Sequence, residues 1–154
     1  PTRPLFRSPG GQQPEVEHAF QGEGSETGLY NGRHWRHGRD FQYTLATRGA
    51  PAVELSVTYS GSDSGRQFDL LANGTLIATQ NLIGEKIGEF VEKRYPIPSS
   101  ILASAPDGRL TIRFVAKKVL AGGVFDVRLL RIDGASSGSM PFNRKLTETD
   151  GKGK

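Results

Sequence analysis

Residues 53–59 read Val53-Glu54-Leu55-Ser56-Val57-Thr58-Tyr59, apolar at every odd position and polar at every even one. Successive side chains of a β-strand point to opposite faces, so this run predicts a strand with one face in a core and one toward water. The same rhythm returns at Phe41, Tyr43 and Leu45, set between Asp40, Gln42 and Thr44. It returns again at Leu110, Ile112, Phe114 and Ala116, and at Phe125, Val127 and Leu129. No segment sustains the 3.6-residue period of an amphipathic helix.

Outward from these runs, further strands are expected at 16–20, 66–72, 75–81 and 89–95. Asn73-Gly74 separates two apolar runs, and both residues tolerate positive φ, so 66–81 reads as a hairpin. Asn73-Gly74-Thr75 also matches a glycosylation sequon, which the hairpin turn explains better. Gly61 to Gly65 reads as another turn. Pro96 and Pro98 end a strand, Ile101–Ala103 forms one helical turn, and Pro106-Asp107-Gly108 turns again. About eight strands over residues 15–132 predict an all-β fold, an antiparallel two-sheet β-sandwich, jelly-roll-like rather than immunoglobulin-like in order. Residues 1–14, with four prolines and Gly10-Gly11, read as a linker or extended lead-in. Residues 133–154 read as a flexible polar tail, with a short ordered contact around Met140 and Phe142.

Composition narrows the function. The absence of cysteine excludes a disulfide scaffold, a thiolate metal site and a cysteine nucleophile. No apolar run approaches the ~20 residues that span a bilayer. The chain does not open with Met and carries no signal-peptide pattern, which reads as an excised or processed fragment. Net charge is +4, but acidic and basic residues are interspersed, so charge is weak support for a polyanionic partner.

The densest cluster is Arg33-His34-Trp35-Arg36-His37-Gly38-Arg39, which holds the only tryptophan. An aromatic face stacks on the apolar face of a sugar, and flanking Arg and His groups bind hydroxyls or a carboxylate. The same set grips phosphates and stacks a base. Against both stands the plainer reading of Trp35 as a core or edge anchor. Tyr30, Arg33, Trp35, His37 and Arg39 are the candidate binding residues, and Glu23–Tyr30 reads as a polar loop beside them. Glu15 and Glu17 share one face of an early strand, and Asp126 lies in the last strand. The three form a candidate structural calcium site, or else solvated charges with Asp126 paired to Arg128. No HExxH pair or phosphate-binding glycine loop is present. No catalytic residue is assigned.

From Val16 to Arg131 the chain resembles the C-terminal accessory domain of bacterial β-L-arabinofuranosidase-type enzymes, glycoside hydrolase family 127. The phrases that carry the resemblance are Gly32-Arg-His-Trp-Arg36, Phe41-Gln-Tyr-Thr-Leu45, Leu55-Ser-Val-Thr-Tyr59, Arg66-Gln-Phe-Asp-Leu70, Tyr95-Pro-Ile-Pro98, Leu110-Thr-Ile-Arg-Phe114 and Ala121-Gly-Gly-Val-Phe-Asp-Val-Arg128. In that family, the resemblance implies, a separate helical barrel carries catalysis through a Cys nucleophile and a Glu. Only the appendage role transfers to a chain with no cysteine. The layout is also similar to family 6 and family 35 carbohydrate-binding modules, whose calcium ligands sit where Glu15, Glu17 and Asp126 fall. The resemblance leans Trp35 toward a structural anchor.

The expectation is a non-catalytic accessory module of a larger glycoside hydrolase. Its partners would be the catalytic domain of that enzyme and a weakly bound glycan, in an extracellular or periplasmic setting. The alternative is a polyanion or nucleic-acid interaction domain working through 33–39.

Overall fold

The structure, a computed structural model, describes residues 20–132. The expected lead-in, residues 16–19 of the strand expected at 16–20, and the polar tail lie outside the described residues, and Phe20 itself belongs to no strand. Nine strands follow in chain order: β1 (Glu26–Tyr30), β2 (Arg33–Gly38), β3 (Asp40–Ala46), β4 (Val53–Ser60), β5 (Ser64–Ala72), β6 (Thr75–Ile83), β7 (Phe90–Pro96), β8 (Arg109–Ala116) and β9 (Ala121–Arg131). A short helix α1 (Ser99–Ala103) and a 3₁₀ turn (Pro106–Gly108) join β7 to β8.

The strands form two antiparallel sheets, β1-β2-β9-β4-β7 and β3-β8-β5-β6. Between β2 and β9 the chain changes sheet at every connection except the β5–β6 hairpin. That interleaving is the jelly-roll order, and β1 is a hairpin addition at one edge. The expected hairpin sits where Asn73-Gly74 predicts it: Ala72 faces Thr75, and Asn73 and Gly74 have φ of 48° and 84°.

The alternating runs meet in the space between the sheets. From the five-stranded sheet come Leu55, Val57, Tyr59, Val127 and Leu129. From the four-stranded sheet come Tyr43, Leu45, Phe68, Leu70, Leu110, Ile112 and Phe114, all fully buried. Phe41 stacks on Phe114 at 5.0 Å between ring centroids, and Tyr59 crosses the sandwich to Phe68 at 5.8 Å. The Tyr59 hydroxyl donates to Tyr95 at 2.9 Å, and Tyr95 donates to Gln80 Oε1 at 2.7 Å. The buried phenol is therefore not left unpaired.

One expectation is corrected. Glu23–Tyr30 is not simply a polar loop, because residues 26–30 form β1. It pairs with β2 in a register from Glu26↔His37 to Tyr30↔Arg33. Asn31-Gly32 closes this hairpin with φ of 49° and 75°, both left-handed as a type I′ turn requires. The flanking residues lack apolar alternation because this edge hairpin is only partly buried.

Candidate functional site

Strand alternation divides the 33–39 cluster. Trp35 and His37, two apart on β2, share a face, and their rings lie 4.8 Å apart. Arg36 projects from the other face, over the Phe20 ring at 4.0 Å, and donates to Ser25 Oγ at 2.5 Å. Arg33 stands over the Phe90 ring at 4.4 Å and reaches Asp126 at 3.4 Å. Arg39 is exposed, and its carbonyl accepts from the Ala116 N–H at 2.8 Å. Arg33 and Arg36, three apart on one strand, project from opposite faces and are already engaged on protein groups. They do not form the single basic face that a polyanion binder presents.

Trp35 lies directly opposite Gly28 in the β1–β2 hairpin. Its indole occupies the space a side chain at 28 would take: a Cβ built there would lie 2.4 Å from Cζ2 and 2.7 Å from Cε2. The ring thus lies flat over a backbone that only glycine leaves bare, half-buried rather than enclosed.

In front of it is a cleft of about 260 Å³. Tyr30, Trp35, His37 and Phe125 supply its aromatic walls, and Ser60, Ser62, Asp63 and Arg66 supply polar groups. Phe90 supports the apolar side from behind, edge-on to Phe125 at 4.9 Å and to Tyr30 at 6.1 Å. The polar side comes from the β4–β5 turn. Arg66 donates to His37 Nδ1 at 3.3 Å, and His37 Nε2 lies 3.1 Å from Glu26 Oε1. A guanidinium only donates, so Nδ1 is the accepting nitrogen and Nε2–H donates to Glu26. Burial pushes the Asp63 carboxyl up from its ordinary range, opposed by the Arg66 charge, the Gly123 N–H bonded to it, and His37.

Among the sequence-derived candidates, Tyr30, Trp35 and His37 meet in this cleft. Arg33 and Arg39 are not among its walls. Sequence reasoning missed Ser60, Ser62, Asp63, Arg66 and Phe125. The available signal was the polar turn Gly61-Ser-Asp-Ser-Gly65 between two strands, since loops on a rigid scaffold commonly carry function. His34 and His37, three apart on one strand, fall on opposite faces and do not form a paired metal site.

The calcium expectation falls largely outside the described residues. Glu15 and Glu17 lie outside the described residues, as does His18. Asp126 is paired with the Arg33 guanidinium at 3.4 Å, and Arg128 reaches Glu92 at 3.7 Å. Among the described residues no group of three His, Asp or Glu side chains gathers as a metal site would require. No described helix is long and apolar enough to cross a membrane.

Two solved structures share the fold. One is a family 35 carbohydrate-binding module from Clostridium thermocellum, with a TM-score of 0.53 and 9% identity, covering 84% of this chain and 97% of that one. The other is the CBM36-1 domain of a multidomain xylanase from the hindgut metagenome of Trinervitermes trinervoides. Its TM-score is 0.52 and its identity 13%, covering 87% and 99%. At these identities the likeness is one of fold. No curated protein sequence matches the chain. A family model does match, over residues 8–130, and by that match the chain belongs to DUF6805, a family of unknown function.

Proposed function

We propose that this domain is a non-catalytic glycan-binding module that holds sugar in the cleft between Trp35 and the β4–β5 turn. One observation carries the reading. A half-exposed indole, with the His37 ring beside it at 4.8 Å, shares a concave surface with Tyr30, Asp63 and Arg66. Sugar sites have this composition: an aromatic platform for the ring's C–H face and a few fixed polar groups for its hydroxyls. The shared fold with carbohydrate-binding modules supports it. In this reading Tyr30, Trp35 and His37 contact glycan, and Arg33 acts indirectly by bracing Phe90. Arg39 contributes nothing to the cleft.

The module serves a larger secreted bacterial glycoside hydrolase of the β-L-arabinofuranosidase type, on whose catalytic domain it packs. The phrase-by-phrase resemblance to the family 127 accessory domain supports that context. The complete reading frame tests it: an upstream helical barrel with a Cys nucleophile is expected, and a frame lacking any hydrolase domain refutes it.

Affinity electrophoresis against arabinan, xylan, galactan and host-type glycans tests binding. Retardation by at least one glycan is expected, lost in Trp35→Ala. Absence of retardation and of any sugar-induced signal at millimolar concentration would leave packing against a partner domain as the role.

A further inference from the structure

We propose that the cleft accepts one uncharged sugar unit, with two adjacent hydroxyls shared between Asp63 and Arg66 and the ring's apolar face on Trp35. This inference rests on the glycan-binding reading above. The volume of about 260 Å³ falls below the roughly 300–1,000 Å³ of pockets that enclose drug-sized ligands. It suits a single ring, with any further units of a chain lying outside these walls.

The charges around the cleft decide the class of ring. Glu26 stands at the rim on β1, His37 on β2, Asp63 in the turn and Arg66 on β5. His37 meets Arg66 at Nδ1 and Glu26 at Nε2, so both of its ring nitrogens are already engaged on protein groups. The walls carry one carboxylate, Asp63, and one guanidinium, Arg66, whose charge acts on that carboxyl. An acceptor beside a donor matches a vicinal diol: each hydroxyl donates to Asp63 and accepts from Arg66. The Gly123 N–H already holds Asp63 in place, which fixes the acceptor before the guest arrives. A sugar carboxylate in the same position would face Asp63 and the rim charge of Glu26, so Arg66 does not make this an anion site. Ser60 and Ser62 are tied into the turn, Ser60 Oγ accepting from the Ser62 N–H at 3.2 Å and Ser62 Oγ from the Gly88 N–H at 2.7 Å, and each keeps an O–H to donate. Asp63 and Arg66 are the carboxylate and the guanidinium among the walls, so discrimination between neutral and charged rings falls to them.

Trp35 is the only tryptophan in the chain, so its fluorescence reports on this cleft alone. The chain is titrated with methyl β-D-glucopyranoside, methyl β-D-galactopyranoside, methyl α-L-arabinofuranoside and methyl β-D-xylopyranoside. Methyl β-D-glucuronide and xylo-oligosaccharides of increasing length complete the panel. At least one neutral glycoside should shift the emission, and the glucuronide should bind at least about ten-fold more weakly than that glycoside. Added xylose units should leave affinity nearly unchanged, and Asp63→Asn should weaken neutral-sugar binding about ten-fold with its melting transition retained. Equal or tighter glucuronide binding overturns the neutral-sugar assignment while glycan capture stands. Affinity that climbs with every added unit overturns the single-ring assignment in the same way. No response to any sugar at millimolar concentration overturns this inference and the glycan-binding reading together.

Discussion

Replacing Gly28 by alanine separates the role of Trp35 in the cleft from its role in holding the fold. The new methyl carbon would stand 2.4 Å from Cζ2 of Trp35. Carbon atoms rest at about 3.5–4.0 Å, so the indole must withdraw by at least about 1 Å or swing outward. The backbone raises no objection, since Gly28 is not in the left-handed region, and alanine in a strand gains about 0.5–1 kcal/mol over glycine. Crowding an aromatic ring costs about 1–3 kcal/mol. The net effect on stability is a loss of about 2 kcal/mol or less, on a hairpin at the sheet edge. The effect on sugar capture is larger in proportion. Displacing the platform forfeits a stacking contact worth on the order of 1 kcal/mol or somewhat more, a five- to ten-fold loss of affinity. The assay pairs thermal unfolding by far-UV circular dichroism with titration of Trp35 emission, and Thr27→Ala on the same exposed strand is the control. Gly28→Ala should melt within several degrees of the parent, shift its emission maximum toward exposed indole, and bind sugar more weakly. An unchanged emission maximum with unchanged affinity would refute the contact between ring and glycine as the support of the site.

Phe114→Ala removes a ring that bridges Phe41 and Phe68 in the fully buried core, and should cost about 3–5 kcal/mol in denaturant unfolding, with the cleft altered only as the fold is lost. Acid titration should reveal two carboxylates of opposite sign. The Ser56 hydroxyl, and then Arg94 and Arg128, hold Glu92 below the ordinary value of 4.5, so its contribution is present above that pH and is lost as pH falls through its lowered value. Glu92→Gln should therefore flatten the stability loss below pH 4.5. Burial holds Asp63 above the ordinary value of 3.8, so the native state takes up its proton first and gains stability as pH falls through the raised value toward 3.8. Asp63→Asn should abolish that gain, as read from unfolding midpoints across the acid range. Sugar affinity in the parent should fall over the same interval, because a protonated Asp63 no longer accepts from two hydroxyls.

The two-residue rhythm of residues 40–46, 53–60 and 109–116 was sufficient to predict two sheets and most of their shared interior. Such a rhythm leaves only one face able to be buried, whatever the strand order. Asn73-Gly74 announced its hairpin because alternating apolar residues flank it. Asn31-Gly32 makes the same turn, but between Glu26-Thr-Gly-Leu-Tyr30 and Arg33-His-Trp-Arg-His37, where polarity marks neither face. This hairpin is only partly buried, so its residues were not constrained to alternate. Tyr30, Trp35 and His37 stood out by residue type alone. The polar turn marked Asp63 as a loop residue, but that Asp63 and Arg66 meet this cluster was beyond reach of the sequence, because the Arg66–His37 contact joins residues 29 apart. Only the jelly-roll crossing, which returns the β4–β5 turn beside the outer face of β2, brings them together. Local period is written in neighbouring residues; the meeting of distant strand ends follows from closing the sandwich.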